Sequence, residues 1–194
     1  MEVSRLFIQR LKIAVLGSAR EPENSEISKK AFKLGQEIAR QGGIVLTGGC
    51  PGLPHAAAIG ARVSGGLTLA VSPALNRTEH LERYCYPADS DIIMFTGMGN
   101  KGRNVILVRS ADVAIFLGGG IGTLNEFTIA FDDFTPENVI AILSGSGRLS
   151  DFFDQIVAKS GRVPGMTFFK EDDPVLLVQK AFERFSQKIN RNLK

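Results

Sequence analysis

Three glycine-rich stretches are the parts of this sequence best suited to hold a small anionic ligand. Gly17-Ser18-Ala19-Arg20, Gly48-Gly49-Cys50-Pro51-Gly52 and Gly118-Gly119-Gly120-Ile121-Gly122-Thr123 each follow a short apolar run and precede a helix-like segment. Without a Cβ the backbone can approach a ligand closely, and the unpaired N–H groups that open a helix favour an anion such as a phosphate. The spacing is not that of a dinucleotide fingerprint: after Gly17 the chain runs Ser-Ala-Arg-Glu-Pro without another glycine, and no G-x-x-x-x-G-K-[ST] stretch occurs.

These loops need strands and helices to place them. Residues 12–17, 44–47, 67–71, 91–95, 113–117 and 139–143 read as buried strands. Residues 25–41, 54–64, 101–110, 123–132 and 173–189 carry helical spacing. Strand and helix alternate, which predicts an α/β, Rossmann-like, doubly wound and mainly parallel sheet with helices on both faces. In such a sheet the ligand sits outside the carboxyl ends of the strands, where the loops lie here. The stretch 72–90, with Pro73, Pro87 and both tyrosines, shows no clear period and reads as a loop-rich crossover.

Length and composition narrow the class. A chain of 194 residues suits one nucleotide-binding α/β domain, with 1–11 as an amino-terminal extension. Hydrophobic residues make up 44% and charged residues 22%, and no apolar run reaches the ~20 residues of a membrane span, so neither a membrane protein nor a secretory leader is expected and the cytoplasm is the default. Cys50 and Cys85 are far apart and His55 and His80 are the sole histidines, which argues against a disulfide scaffold or a metal site. The net charge of +3 is small, and the terminal cluster Lys188, Arg191 and Lys194 reads as a solvated helix end, so no nucleic-acid partner is expected.

One longer pattern is more specific. Met98-Gly-Asn-Lys-Gly-Arg103, followed after a strand by Gly119-Gly120-Ile-Gly122-Thr123-Leu-Asn-Glu126, resembles the paired motif of the LONELY GUY family. Its members are often labelled lysine decarboxylase-like, are related to DprA/Smf proteins, and have a branch that includes molybdenum cofactor carriers. The Thr47-Gly48-Gly49 and Pro51-Gly52 stretch resembles the family's upstream glycine loop, so the likeness spans roughly 12–145. Three departures stand out: Asn104 follows the arginine where the family has lysine, Gly118 replaces a proline, and Cys50 and Pro54 interrupt the upstream loop. The arginine–asparagine version is closer to the carrier branch.

The resemblance implies an enzyme that hydrolyses the N-glycosidic bond of a nucleoside 5′-monophosphate, giving free base and ribose 5-phosphate with no cofactor required. Glu126 would stabilise the oxocarbenium-like transition state or activate water, and Arg103 would orient it and the ligand. Gly119, Gly120, Gly122 and Thr123 would hold the 5′-phosphate, while Gly17, Ser18, Thr47, Gly48, Gly49 and Gly52 would line the nucleoside side. The alternative is a non-catalytic protein that binds a nucleotide or carries molybdenum cofactor. Relatives imply a homodimer or higher homo-oligomer.

Each of these residues also has a plainer role. Thr123-Leu-Asn-Glu126 matches a helix capping box, Arg109 could serve the negative end of its helix, Asp112 could pair locally, and Cys50 could be a buried apolar filler.

Overall fold

The computed structural model describes residues 10–192, with side chains to residue 187. The amino-terminal extension up to residue 9 and the side chains of the terminal basic cluster lie outside the described residues. Strands β1 (Lys12–Gly17), β2 (Ile44–Thr47), β3 (Leu67–Ser72), β4 (Ile92–Phe95), β5 (Val113–Leu117), β6 (Val139–Leu143) and β7 (Thr167–Glu171) form one sheet. Its order is β4-β3-β2-β1-β5-β6-β7, and every neighbouring pair is parallel. The helices are α1 (Glu26–Arg40), α2 (Leu53–Val63), α3 (Arg77–Glu82), α4 (Gly99–Arg109), α5 (Ile121–Asp133), α6 (Phe153–Ser160) and α7 (Pro174–Asn192). This is the Rossmann-like α/β architecture that the alternation of periods predicts.

The alternation along β1 shows why helices lie on both faces. Ile13 and Val15 point to one layer, where they meet Leu34 and Ile38 of α1, Ala57 of α2 and Leu177 of α7. Ala14 and Leu16 point the other way, to Leu107 of α4, Phe127 of α5 and Phe153 of α6. Phe127 and Phe153 stack with ring centroids 4.0 Å apart, and Phe116 of β5 meets Phe153 edge-on at 5.6 Å. Both faces of β5 and β6 are buried throughout, so these strands read as unbroken apolar runs.

The topology fixes where a ligand can sit. The chain moves outward from β1 to β4, returns to place β5 on the other side of β1, and continues to β7. The order therefore reverses between β1 and β5, and their carboxyl ends open the crevice typical of doubly wound sheets.

Several elements lie outside the strands and helices expected from the sequence. The 72–90 stretch contains α3, capped by Asn76, whose side chain accepts from the Glu79 N–H at 2.9 Å. Beyond β6 come a 3₁₀ turn at Arg148–Phe152, α6 ended by Gly161 in the left-handed conformation, and β7. Among the described residues, no helix is long and apolar enough to cross a membrane.

Candidate functional site

At the switch point lies a cleft of about 560 Å³. Gly17 and Ser18 reach it from the end of β1, and Gly120, Gly122 and Thr123 from the start of α5. Arg103 of α4 and Glu126 of α5 complete its wall. Seven of the residues singled out in the sequence thus converge on one cavity, within the size range of small-molecule sites.

The pair at its centre is buried. Arg103 is 5% exposed and Glu126 7%, with Arg103 Nη1 3.6 Å from Glu126 Oε1. That separation gives charge attraction but exceeds a normal hydrogen bond. Burial pushes the Glu126 carboxyl up from 4.5 to about 7, against the opposing pull of Arg103 and Lys101. A carboxyl poised near neutrality can exchange a proton at working pH. Arg103 Nε has no partner among the described residues, leaving a buried cationic donor unsatisfied.

Asn104 lies beside Glu126. Turned to match its neighbours' polarity, its amide nitrogen donates to the Asn100 carbonyl at 2.9 Å and to Glu126 Oε1 at 3.1 Å. A neutral donor orients the carboxyl without adding positive charge.

The other predicted glycines stand behind the wall rather than on it. A Cβ on Gly48 would lie 1.7 Å from Arg103 Nη1, so this glycine makes room for the guanidinium. Thr47 closes its own loop by accepting from the Gly49 N–H at 3.1 Å. Gly52 precedes Leu53, whose N–H donates to the Ser18 carbonyl at 2.9 Å and ties the upstream loop to the first one. Gly119 has φ +90°, and a Cβ there would strike Thr123 Oγ1 at 2.2 Å. Thr47, Gly48, Gly49, Gly52 and Gly119 shape the cleft from outside its lining.

The plainer roles divide. The capping-box reading fails: α5 begins at Ile121, two residues before Thr123, its cap is Gly120, and the cap makes no side-chain hydrogen bond. Arg109 Nε faces Asp133 at 3.6 Å on the surface. Asp112 pairs with Lys12 across two strand starts, with Nζ at 2.8 Å. Cys50 lines the cleft, but burial raises its thiol to about 11, so it is a poor nucleophile near neutral pH.

Two residues of the cleft escape the sequence patterns, Tyr86 and Arg148, while Arg20 and Asn100 stand inside the quoted stretches without a role assigned there. Tyr86 arrives from the irregular 72–90 stretch, held beside His80 with ring centroids 5.7 Å apart. His80 is fully buried, with Nε2 2.9 Å from the Pro87 carbonyl and Nδ1 2.8 Å from Ser72 Oγ. Because a carbonyl only accepts, Nε2 is the donor to Pro87. Arg148 belongs to a loop whose spacing carries no strand or helix period. Among the described residues, no group of three or more His, Cys, Asp or Glu side chains could hold a metal ion.

Comparison with known proteins shows where the chain and its fold belong. An uncharacterized protein of Archaeoglobus fulgidus is 37% identical over 123 residues, covering 63% of this chain and 75% of that one. The molybdenum cofactor binding protein of Rippkaea orientalis is 28% identical with a TM-score of 0.70, covering 91% of this chain and 99% of that one. A molybdenum cofactor carrier protein of Chlamydomonas reinhardtii is 26% identical, also with a TM-score of 0.70, covering 93% of this chain and 99% of that one. The likeness read from the arginine and glycine motifs, including its carrier branch, is borne out, and with residues 10–175 matching throughout, the chain belongs to the SLOG cluster4 family.

Proposed function

We propose that the cleft binds a nucleoside 5′-monophosphate and hydrolyses its N-glycosidic bond. The observation that carries this reading is the buried Arg103–Glu126 pair beside the open amino end of α5. The phosphate rests on the amides at Gly120, Gly122 and Thr123, where the helix dipole and unpaired N–H groups favour an anion. Gly17 and Ser18 line the same cleft and take the nucleoside side.

Arg103 holds the ligand with its otherwise unpartnered Nε–H and keeps Glu126 in place. As the C1′–N bond breaks, its electron pair leaves with the base, and positive charge develops on the ribose ring next to the Glu126 carboxylate. Water adds at C1′, Glu126 takes its proton, and the base gains a proton from solvent. The products are ribose 5-phosphate and free base. Asn104 is a positioning residue that aims the carboxyl. No metal or cofactor enters these steps.

The test is to measure free base and ribose 5-phosphate from a panel of nucleoside 5′-monophosphates. Turnover by the natural chain, abolished in Glu126→Gln while nucleotide binding persists, is the expected result.

A second reading is carriage of molybdenum cofactor as cargo, supported by the two relatives that are named for that ligand and match most of this chain. The same phosphate contacts would hold the pterin phosphate, and Arg103 would face the cargo without a reaction. Absence of product from every nucleotide, together with saturable binding of the cofactor, selects this reading.

A further inference from the structure

We infer that Arg20 and Arg148 form a two-sided clamp that makes the cleft selective for a terminal phosphomonoester over a phosphodiester. This rests on the reading that the amino end of α5 holds the ligand's phosphate. Arg20 follows β1 and Arg148 follows β6, the strands on either side of β5, so the two flank the loop that leads from β5 into α5. Both line the cleft. Among the described residues neither guanidinium has a hydrogen bond or ion pair, whereas Arg103 in the same cleft faces Glu126.

The loop that delivers Arg148 is built onto the phosphate loop. Ser146 Oγ accepts from the Gly118 N–H at 2.8 Å, and the Leu149 N–H donates to the Gly119 carbonyl at 3.3 Å. Between these anchors Arg148 has φ +60°, a left-handed conformation that disfavours any residue with a Cβ. A glycine would sit there more comfortably. An arginine with a free guanidinium at the mouth of a cleft, held in that conformation, points to ligand contact rather than to folding.

The chemistry of the anion follows from the count of donors. A phosphomonoester offers three non-bridging oxygens, one each for the α5 amides, Arg20 and Arg148, each contact being charge-assisted or dipole-assisted. A diester, as in a nucleic-acid backbone or an internal dinucleotide linkage, offers two and leaves one cationic arm unused. The buried, unpartnered Arg103 Nε independently marks the cleft as built for an anionic ligand.

Methyl phosphate and dimethyl phosphate test this without a nucleobase. Each is titrated by calorimetry into the full chain, Arg20→Gln and Arg148→Gly, with thermal melts in parallel. The monoester binds the natural chain more tightly than the diester, and each substitution weakens the monoester about tenfold, the loss of one charge-assisted contact. Arg148→Gly melts no lower than the natural chain, because glycine accepts the left-handed backbone. Equal affinity for the two esters, monoester binding unchanged in both variants, or absence of monoester binding to the natural chain would overturn the clamp. If monoester binding shows the arginine dependence but no nucleotide is hydrolysed, the clamp stands and the enzymatic reading falls. If nucleotides are hydrolysed and neither substitution weakens the monoester, the clamp alone falls.

Discussion

Replacing Glu126 with Gln should change the way stability depends on pH, because the group titrates in a buried place. Its folded pKa is raised to about 7 from an ordinary 4.5, so between those values the folded state keeps a proton that the unfolded state releases. Stability from this group is full below about pH 4.5, falls as pH rises to about 7, and is flat above that. The whole step is worth roughly 3 kcal/mol, since one pKa unit corresponds to about 1.4 kcal/mol. Glutamine imitates the protonated carboxyl and does not titrate. The variant and the natural chain should therefore be close in stability near pH 5, with glutamine ahead by about 3 kcal/mol near pH 8. For a chain of this size that is a melting difference of about 6–12 °C at the higher pH. Comparison at two pH values cancels the constant cost of leaving Arg103 without a carboxylate partner. Calorimetric melts of both proteins across pH 4.5–8.5 make the test. Parallel curves, with the same gap at both ends, would refute the burial argument for Glu126.

Other outcomes follow from the same geometry. Because the proposed mechanism uses the ionised carboxyl, kcat/KM should fall as pH drops below about 7, and Asn104→Lys should move that acid limb down by about one unit by placing a cation beside Glu126; pH–rate profiles of both proteins check this. Gly48→Ala puts a methyl 1.7 Å from Arg103 Nη1, so the guanidinium must shift; kcat/KM should drop about 100-fold with a much smaller loss of melting temperature. Gly35→Ala tests the scaffold instead, since its Cβ would lie 1.8 Å from the Ala57 carbonyl where α1 meets α2; a stability loss of about 3 kcal/mol or more in urea unfolding is expected.

Much of the sheet could be read from sequence because its central strands are buried on both faces. The runs at β5 and β6 are apolar from end to end, that of β1 from Ile13 to Leu16, and a glycine or serine follows each, so strand, loop and ligand side are written locally. Arg103 and Glu126 could be paired in advance because a two-part motif fixes their separation along the chain. The start of α5 misled the local reading. Thr123 and Glu126 have capping-box spacing, but Gly120 already opens the helix, which moves Thr123 into the first turn and frees it to face the cleft.

What escaped depends on contacts distant in sequence. Arg148 reaches the cleft through hydrogen bonds between its loop and Gly118–Gly119, which no period within 144–152 reveals. Tyr86 is held by buried His80, whose partners Ser72 and Pro87 come from opposite ends of an aperiodic stretch. Gly48 looked like a ligand contact because glycine permits close approach. The close approach proves to be that of Arg103.

The most direct test of the central claim is a single-turnover assay of the natural chain and Glu126→Gln on nucleoside 5′-monophosphates, following ribose 5-phosphate. The account predicts a product burst from the natural chain and none from the variant, with nucleotide affinity retained. Equal product formation by the two proteins, or none from the natural chain with any nucleotide it binds, would contradict it.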